Sequence, residues 1–251
     1  MQCNPQKKLL LLSNSTNFGL SYLEHAILYI QSFLGDIQEI LFIPYATVRK
    51  DYDQYTEIVQ TVFNKFGCNV KSIHTIPDKE KYWEITDAKA IFIGGGNTFQ
   101  LLNKLQEYKL IDVLNYQILK KGIPYIGSSA GSIIACPTIK TTNDMPIVEV
   151  ENLNALEIIP FQINCHYTEF KLPNYSGESR QTRLLEFICA NINKTVVGIP
   201  EGVILEIINN DVRVIETLNT PGITIYENND IKKNVVFFKI DDKIWRYKLI
   251  K

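Results

Sequence analysis

The stretch from Ile123 to Pro137 narrows the choice of fold more than any other part of the chain. It begins as a short apolar strand, passes through Gly127-Ser128-Ser129-Ala130-Gly131, and continues as small apolar residues that read as a short helix stopped by Pro137. A strand that turns this abruptly into a helix lifts the central serine out of the backbone. The flanking positions must then be glycine, because a Cβ at either would clash in the bend. Ser129 would sit at a helix N-terminus, where free N–H groups favour a developing oxyanion. G-x-S-x-G also occurs as an ordinary Gly/Ser turn, so its weight depends on the rest of the chain.

The rest of the chain alternates. Lys8 to Ser13 reads as a leucine-rich strand, followed by a polar loop from Ser13 to Asn17 and a helix with one apolar face over Leu20 to Leu34. Ile37 to Ile43 is a second strand, Asp51 to Phe66 a second helix, and Asn69 to Thr75 a third strand. A fourth, Lys89 to Ile93, runs into Gly94-Gly95-Gly96-Asn97-Thr98, and helix follows to about Lys121 with a break near Tyr108 and Lys109. Strand–helix repetition of this kind implies a parallel sheet covered by helices on both faces. In such sheets ligands bind beyond the carboxyl ends of the strands. Ser13 to Asn17, Gly94 to Asn97 and Ser129 should therefore share one rim. Three glycines between a strand and a helix let backbone N–H groups approach a ligand. A phosphate loop is disfavoured, because no lysine follows the glycines and neither nucleotide-binding glycine signature is matched. An anion hole opposite Ser129 is the better reading.

After Pro137 the pattern changes. Asp144, before Met145 and Pro146, is a turn residue or a carboxylate available to an imidazole. Ile158 to Asn164 reads as a strand that delivers His166 into a polar loop. Residues 171–177 read as a loop and Glu178 to Ala190 as a helix carrying Arg180. Thr195 to Ile199 reads as a strand ending at Glu201, a second candidate acid. Short strands separated by Asn, Asp and Gly turns fill the last third, which looks antiparallel. No linker or repeat divides the chain, so residues 1–251 are expected to form one domain.

Composition removes several classes of function. A net charge of −1 with mixed signs leaves no nucleic-acid footprint. No apolar run approaches a membrane span, and the leucines after Lys8 read as a buried strand instead of a signal peptide. The five cysteines are scattered, odd in number and never in C-x-x-C spacing. They argue against a disulfide framework or a zinc site, and for a reducing, cytoplasmic setting. No metal or cofactor is expected. Of three histidines, His25 lies in a helix and His74 at a strand end, which leaves His166 as the imidazole best placed for chemistry. The neighbouring Cys165 would point to the other side of a continuing strand, and no elbow surrounds it. Ser129 would attack a carbonyl, His166 would take its proton, and Asp144 would fix the histidine tautomer.

These residues also resemble a family, the peptidase E α-aspartyl dipeptidases, which are serine peptidases with a glutamine-amidotransferase-like fold. The resemblance rests on Gly94 to Leu102, Gly127 to Gly131, Ala135 to Ile139, Thr141 to Val148, Asn164 to Thr168 and Gly177 to Arg180, and covers the chain from Leu9 to Gly202. It implies an α/β fold: a three-layer αβα sandwich of flavodoxin or class I glutamine-amidotransferase type, its sheet mostly parallel, with antiparallel strands added in the C-terminal third. It implies a triad of Ser129, His166 and Asp144, with Glu201 as second choice for the acid. The oxyanion hole would be built from N–H groups of Gly95, Gly96 and Ala130. Arg180 would hold the aspartyl side chain, and Asn97 and Thr98 would contact substrate. The implied partner is an Asp-Xaa dipeptide, cleaved by a monomer or homodimer. Ser128 stands where the best-known members carry tryptophan and Cys165 where they carry proline. Both are expected at the pocket wall, where they would bear on substrate preference. The rivals are a cyanophycinase-like hydrolase of β-aspartyl peptides, an esterase of the α/β-hydrolase type, and a non-catalytic binding domain of the same fold.

Overall fold

The computed structural model describes residues 6–170, 173, 174, 176–217, 222–227, 230–241 and 244–249. Cys3 and part of the loop read over 171–177 lie outside them. The chain runs β1 (Lys8–Leu12), α1 (Ile27–Leu34), β2 (Glu39–Ile43), α2 (Tyr52–Phe63), β3 (Asn69–Ser72), α3 (Lys81–Asp87), β4 (Ile91–Ile93), α4 (Thr98–Glu107), α5 (Ile111–Lys120), β5 (Tyr125–Ser128) and α6 (Ala130–Ile133). It continues with β6 (Gln162–Cys165), α7 (Arg180–Ala190), β7 (Thr195–Ile199), β8 (Val203–Ile208), β9 (Asp211–Glu216), β10 (Ile223–Glu227), β11 (Asp230–Asp241) and β12 (Ile244–Leu249).

All these strands join one sheet in the order β3-β2-β4-β5-β1-β8-β9-β11-β10-β7-β6, with β12 on β11. From β3 to β1 every pairing is parallel. The strands from β8 to β10 pair antiparallel, and β6 runs parallel to β7 at the far end.

The parallel strands are apolar at nearly every position because both of their faces are covered. On β1, Leu9 and Leu11 pack with α4 and α5 residues such as Leu101, Leu105 and Leu114, while Leu10 and Leu12 pack with Ile30, Phe33, Val59 and Phe63 of α1 and α2. The period-two alternation of a strand thus feeds two separate cores, which makes the three layers.

Element boundaries differ from the sequence reading where side chains or turns intervene. The first helix starts late: Leu20 and Leu23 N–H groups are taken by Asn17 and Ser15 carbonyls, and Leu23 has φ 55°. The break at Tyr108 and Lys109 is present, with Lys109 at φ 55°. The third strand stops at Ser72. Helix α3 carries too short a pattern to be read from sequence, with only Lys81 and Ile85 buried.

The Ser129–His166 cleft

The elbow is built by steric exclusion. Ser129 has φ 51° and ψ −108°, a conformation that L-residues avoid and that its surroundings must enforce. Its N–H donates to the Leu12 carbonyl at 3.0 Å, and its carbonyl accepts from Ser132 and Ile133 N–H at 2.8 and 2.9 Å. A Cβ on Gly127 would overlap the Gly131 carbonyl, and a Cβ on Gly131 would overlap the Ile93 carbonyl. The two outer glycines are therefore required by contact as well as by the turn. Behind them, the Ser132 hydroxyl donates to the Leu12 and Gly127 carbonyls at 2.7 and 2.9 Å.

Ser129 Oγ lies 2.8 Å from His166 Nε2, and His166 Nδ1 lies 2.8 Å from Glu201 Oε1. His166 also has positive φ, 51°. The backbone is held there by Ser13, whose buried hydroxyl accepts from His166 N–H at 2.9 Å and donates to the Ile199 carbonyl at 2.8 Å. The next residue, Asn14, accepts the Gly202 N–H at 2.8 Å. One dipeptide at the end of β1 thus ties down both the histidine turn and the turn that carries Glu201.

The sequence reading gives Asp144 to His166. Instead, the Asp144 carboxylate accepts from Thr98 N–H at 2.7 Å, the Thr98 hydroxyl at 2.5 Å and the Thr142 hydroxyl at 3.1 Å. It anchors the 141–147 loop to the start of α4, where unpaired N–H groups attract a carboxylate. Thr98, expected to contact substrate, is fully buried and its hydroxyl is engaged by Asp144. Asn97 lines the cleft, but its side-chain oxygen caps α4 through Gln100 N–H at 3.0 Å.

The glycine loop faces the elbow. A Cβ on Gly95 would come within 3.3 Å of Ser129 Cβ, and a Cβ on Gly96, at φ 144°, would overlap the Ala46 carbonyl. Among the described residues no hydrogen bond takes the N–H of Gly95, Gly96 or Ala130. The Gly95 carbonyl is held from behind by the Tyr55 hydroxyl at 3.2 Å, which itself meets Tyr22. Burial pushes the Tyr55 phenol up to about 12, so it stays a neutral donor.

Ser128 and Cys165 are both fully buried and do not wall the cleft, because the pleat turns them into the core. Cys165 Sγ donates to the Ser129 carbonyl at 3.5 Å, and burial raises its thiol well above the ordinary range. It is unsuited to be a nucleophile. Arg180 is half-buried, which pulls its guanidinium below its usual value, and it reaches the Asn164 side-chain oxygen at 3.4 Å. His74 belongs elsewhere, between Ser72 and Asp53 at 2.6 and 2.9 Å, beside the sheet edge at β3. His25 lies just ahead of α1 with its Nδ1 buried and unpartnered.

The cleft itself is open, about 670 Å³, and is lined by Ser129 and His166 together with Gly95, Gly96, Tyr55 and the 46–50 loop. Sequence reasoning missed Arg49 and Lys50 on this wall, and the roles of Ser13, Asn14 and Tyr55. The only sequence signal for these was position: each lies on or beside a segment that follows a parallel strand. Among the described residues no group of three or more His, Cys, Asp or Glu side chains could hold a metal, and no helix is long and apolar enough to cross a membrane.

A serine on a strained elbow, bonded to a histidine at the carboxyl rim of a parallel sheet, is the arrangement of a serine hydrolase. The chain belongs to peptidase family S51, whose model matches residues 9–215. It is 47% identical over 210 residues to peptidase E of Nostoc sp., covering 83% of this chain and 86% of that one. To peptidase E of Haemophilus influenzae it is 42% identical over 205 residues, covering 81% and 93%. The fold is also that of a peptidase from an acI-B1 Actinobacterium, with TM-score 0.63 and 16% identity over 92% of this chain and 98% of that one. A Listeria monocytogenes crystal structure matches with TM-score 0.63 and 23% identity over 84% and 98%. The chain is a peptidase, and so a hydrolase.

Proposed function

We propose that this peptidase hydrolyses dipeptides with an N-terminal aspartate through an acyl-enzyme on Ser129, with His166 as general base and Glu201 as the carboxylate that orients it. The observation that carries the reading is the unbroken line of contacts from Ser129 Oγ to His166 to Glu201, each 2.8 Å. Asp144 is set aside as the triad acid because His166 Nδ1 meets Glu201 instead, while Asp144 Oδ2 holds Thr98 and Thr142.

In the reaction, Ser129 Oγ attacks the scissile carbonyl carbon as its proton passes to His166 Nε2. The carbonyl oxygen becomes an oxyanion and takes N–H groups of Gly95, Gly96 and Ala130, which need no reorganisation to meet it. His166 then gives the proton to the leaving amine, the C–N bond breaks, and an aspartyl ester remains on Ser129. Water then attacks the ester carbon as His166 takes its proton, the bond to Ser129 Oγ breaks, His166 returns the proton to Oγ, and aspartate departs. Glu201 keeps the Nδ1 proton in place and offsets the imidazolium charge in both halves.

Arg180 is assigned to the aspartyl side chain. It is a half-buried guanidinium with no carboxylate partner among the described residues, and its fork matches a carboxylate. Catalysis belongs in the cytoplasm on this reading, consistent with free cysteines at 68, 136 and 165.

The test is a panel of Asp-Leu, Asn-Leu, Glu-Leu and β-Asp-Arg assayed with wild type and Ser129→Ala. Rapid loss of Asp-Leu alone, abolished in the variant, is expected. Preferential loss of β-Asp-Arg would move the substrate to β-aspartyl peptides, and Ser129-independent turnover would remove the nucleophile.

A further inference from the structure

One part of the cleft wall comes from the segment between β2 and α2. Its backbone is fixed to the glycine loop, since Asn97 N–H donates to the Ala46 carbonyl at 2.8 Å. From there the chain turns: Thr47 N–H donates to the Pro44 carbonyl at 3.1 Å, and Lys50 N–H donates to the Thr47 hydroxyl at 3.4 Å. Asp51 then caps α2 through Gln54 N–H at 2.7 Å. Between these two fixed ends, Val48, Arg49 and Lys50 line the same cleft as Ser129 and His166.

The charges of that cleft are unevenly distributed. Besides two tyrosines, its lining holds one carboxylate, Asp144, one imidazole, His166, and two cations, Arg49 and Lys50. Asp144 is engaged by two threonines, and His166 faces Ser129 and Glu201. No carboxylate among the described residues pairs with Arg49 or Lys50. Two cations are left on the wall of a site whose substrate is an anion.

We infer that Arg49 and Lys50 form a subsite for the free α-carboxylate of the residue that leaves. This rests on the reading that Ser129 cleaves dipeptides. In Asp-Xaa the carboxylate belongs to the residue bonded to the scissile nitrogen. It is therefore within one residue of the reacting carbon, about 3.8 Å from one Cα to the next. Arg180, bonded to Asn164, is assigned the aspartyl side chain, which leaves the second carboxylate without a partner unless the 46–50 wall supplies it. Both side chains are long and flexible enough to fold inward over a bound dipeptide. The subsite also gives a physical reason for a preference in length: a third residue replaces the carboxylate by a neutral peptide group, and the two cations lose their anion.

The experiment compares kcat/KM for Asp-Leu with that for Asp-Leu amide, which differs only in lacking the carboxylate. Because both cations are exposed and solvent screens them, wild type should prefer the free acid by roughly 5- to 30-fold. That preference should shrink as ionic strength rises. In Arg49→Ala/Lys50→Ala the ratio should fall toward one, and in Arg49→Glu/Lys50→Glu below one. An equal ratio in all three proteins would overturn the subsite, as would a loss that strikes acid and amide alike. If wild type turns over neither compound, the dipeptidase reading falls and the subsite with it. If Ser129-dependent cleavage of Asp-Leu persists while the ratio ignores these substitutions, only the subsite falls.

Discussion

Replacing Glu201 by glutamine isolates the role of one charge. Glutamine keeps the length of the side chain and an oxygen that can accept the His166 Nδ1 proton, so the imidazole stays oriented while the negative charge disappears. On the proposed mechanism, that charge acts on the imidazolium that forms as Ser129 loses its proton. With N···O at 2.8 Å, the two charge centres lie about 4 Å apart, worth about 1 kcal/mol in water and about 4 kcal/mol at an effective dielectric of 20. The His166 and Glu201 side chains are 41% and 58% exposed, which places the pair between those limits. Each 1.4 kcal/mol is about tenfold in rate, so kcat should drop by roughly 5- to 1,000-fold. This is less than the ~10⁴-fold seen when the buried aspartate of a chymotrypsin-type triad is neutralised, because solvent shares the work here.

Asp144→Asn makes the matched comparison. Its carboxylate bonds Thr98 and Thr142, so neutralising it should act on the start of α4 and on stability, by about 0.5–2 kcal/mol as for a lost helix cap. Steady-state kinetics on Asp-Leu and a urea melt of each variant separate the two effects. A Glu201→Gln enzyme within twofold of wild type, alongside an Asp144→Asn enzyme that folds normally and is 100-fold slower, would refute the assignment and return Asp144 to the triad.

Three further expectations come from other contacts. Ser13→Ala strands the His166 N–H, while the Ile199 carbonyl keeps the Tyr167 N–H at 3.0 Å, and should cost about 1–3 kcal/mol of stability. A fluorophosphonate should still label Ser129 to full stoichiometry but more slowly, and wild-type labelling rates would show that the hydroxyl does not position the histidine. Arg180→Ala should keep the labelling rate and lose the preference for Asp-Leu over Asn-Leu, by on the order of 2–4 kcal/mol in relative kcat/KM; unchanged preference would take Arg180 out of recognition. Burial holds the His25 imidazole below its ordinary 6.5, so the unfolded chain binds that proton more readily than the folded one. Its contribution to stability is complete above pH 6.5 and is lost as pH falls through the lowered folded value. His25→Gln should therefore flatten the fall in urea midpoint on acidification, and an unaltered pH dependence would place the acid sensitivity elsewhere.

What the sequence revealed and what it hid divide along the range of the interactions. The parallel half was legible because each of its strands is buried on both faces, which leaves a continuous apolar run that no exposed strand could tolerate. The elbow was legible because Gly127 and Gly131 are dictated by contacts within a few residues of Ser129, or with the strand next door. Which carboxylate meets His166 was not legible, because both candidates satisfy every local test: Asp144 follows a loop and Glu201 follows a strand. What separates them is a contact between distant segments. Thr98 and Asp144 are 46 residues apart in sequence, and their pairing ties Asp144 Oδ2 to the start of α4 while His166 Nδ1 meets Glu201. Ser13 is 153 residues from His166, and Asn14 is 188 residues from Gly202; together they fix the two turns that bring His166 and Glu201 into register. Reading position by position finds which groups can do chemistry. Choosing among them depends on which carboxylate the fold carries to the imidazole: Glu201 Oε1 stands 2.8 Å from His166 Nδ1, while Asp144 Oδ2 is held by Thr98 and Thr142.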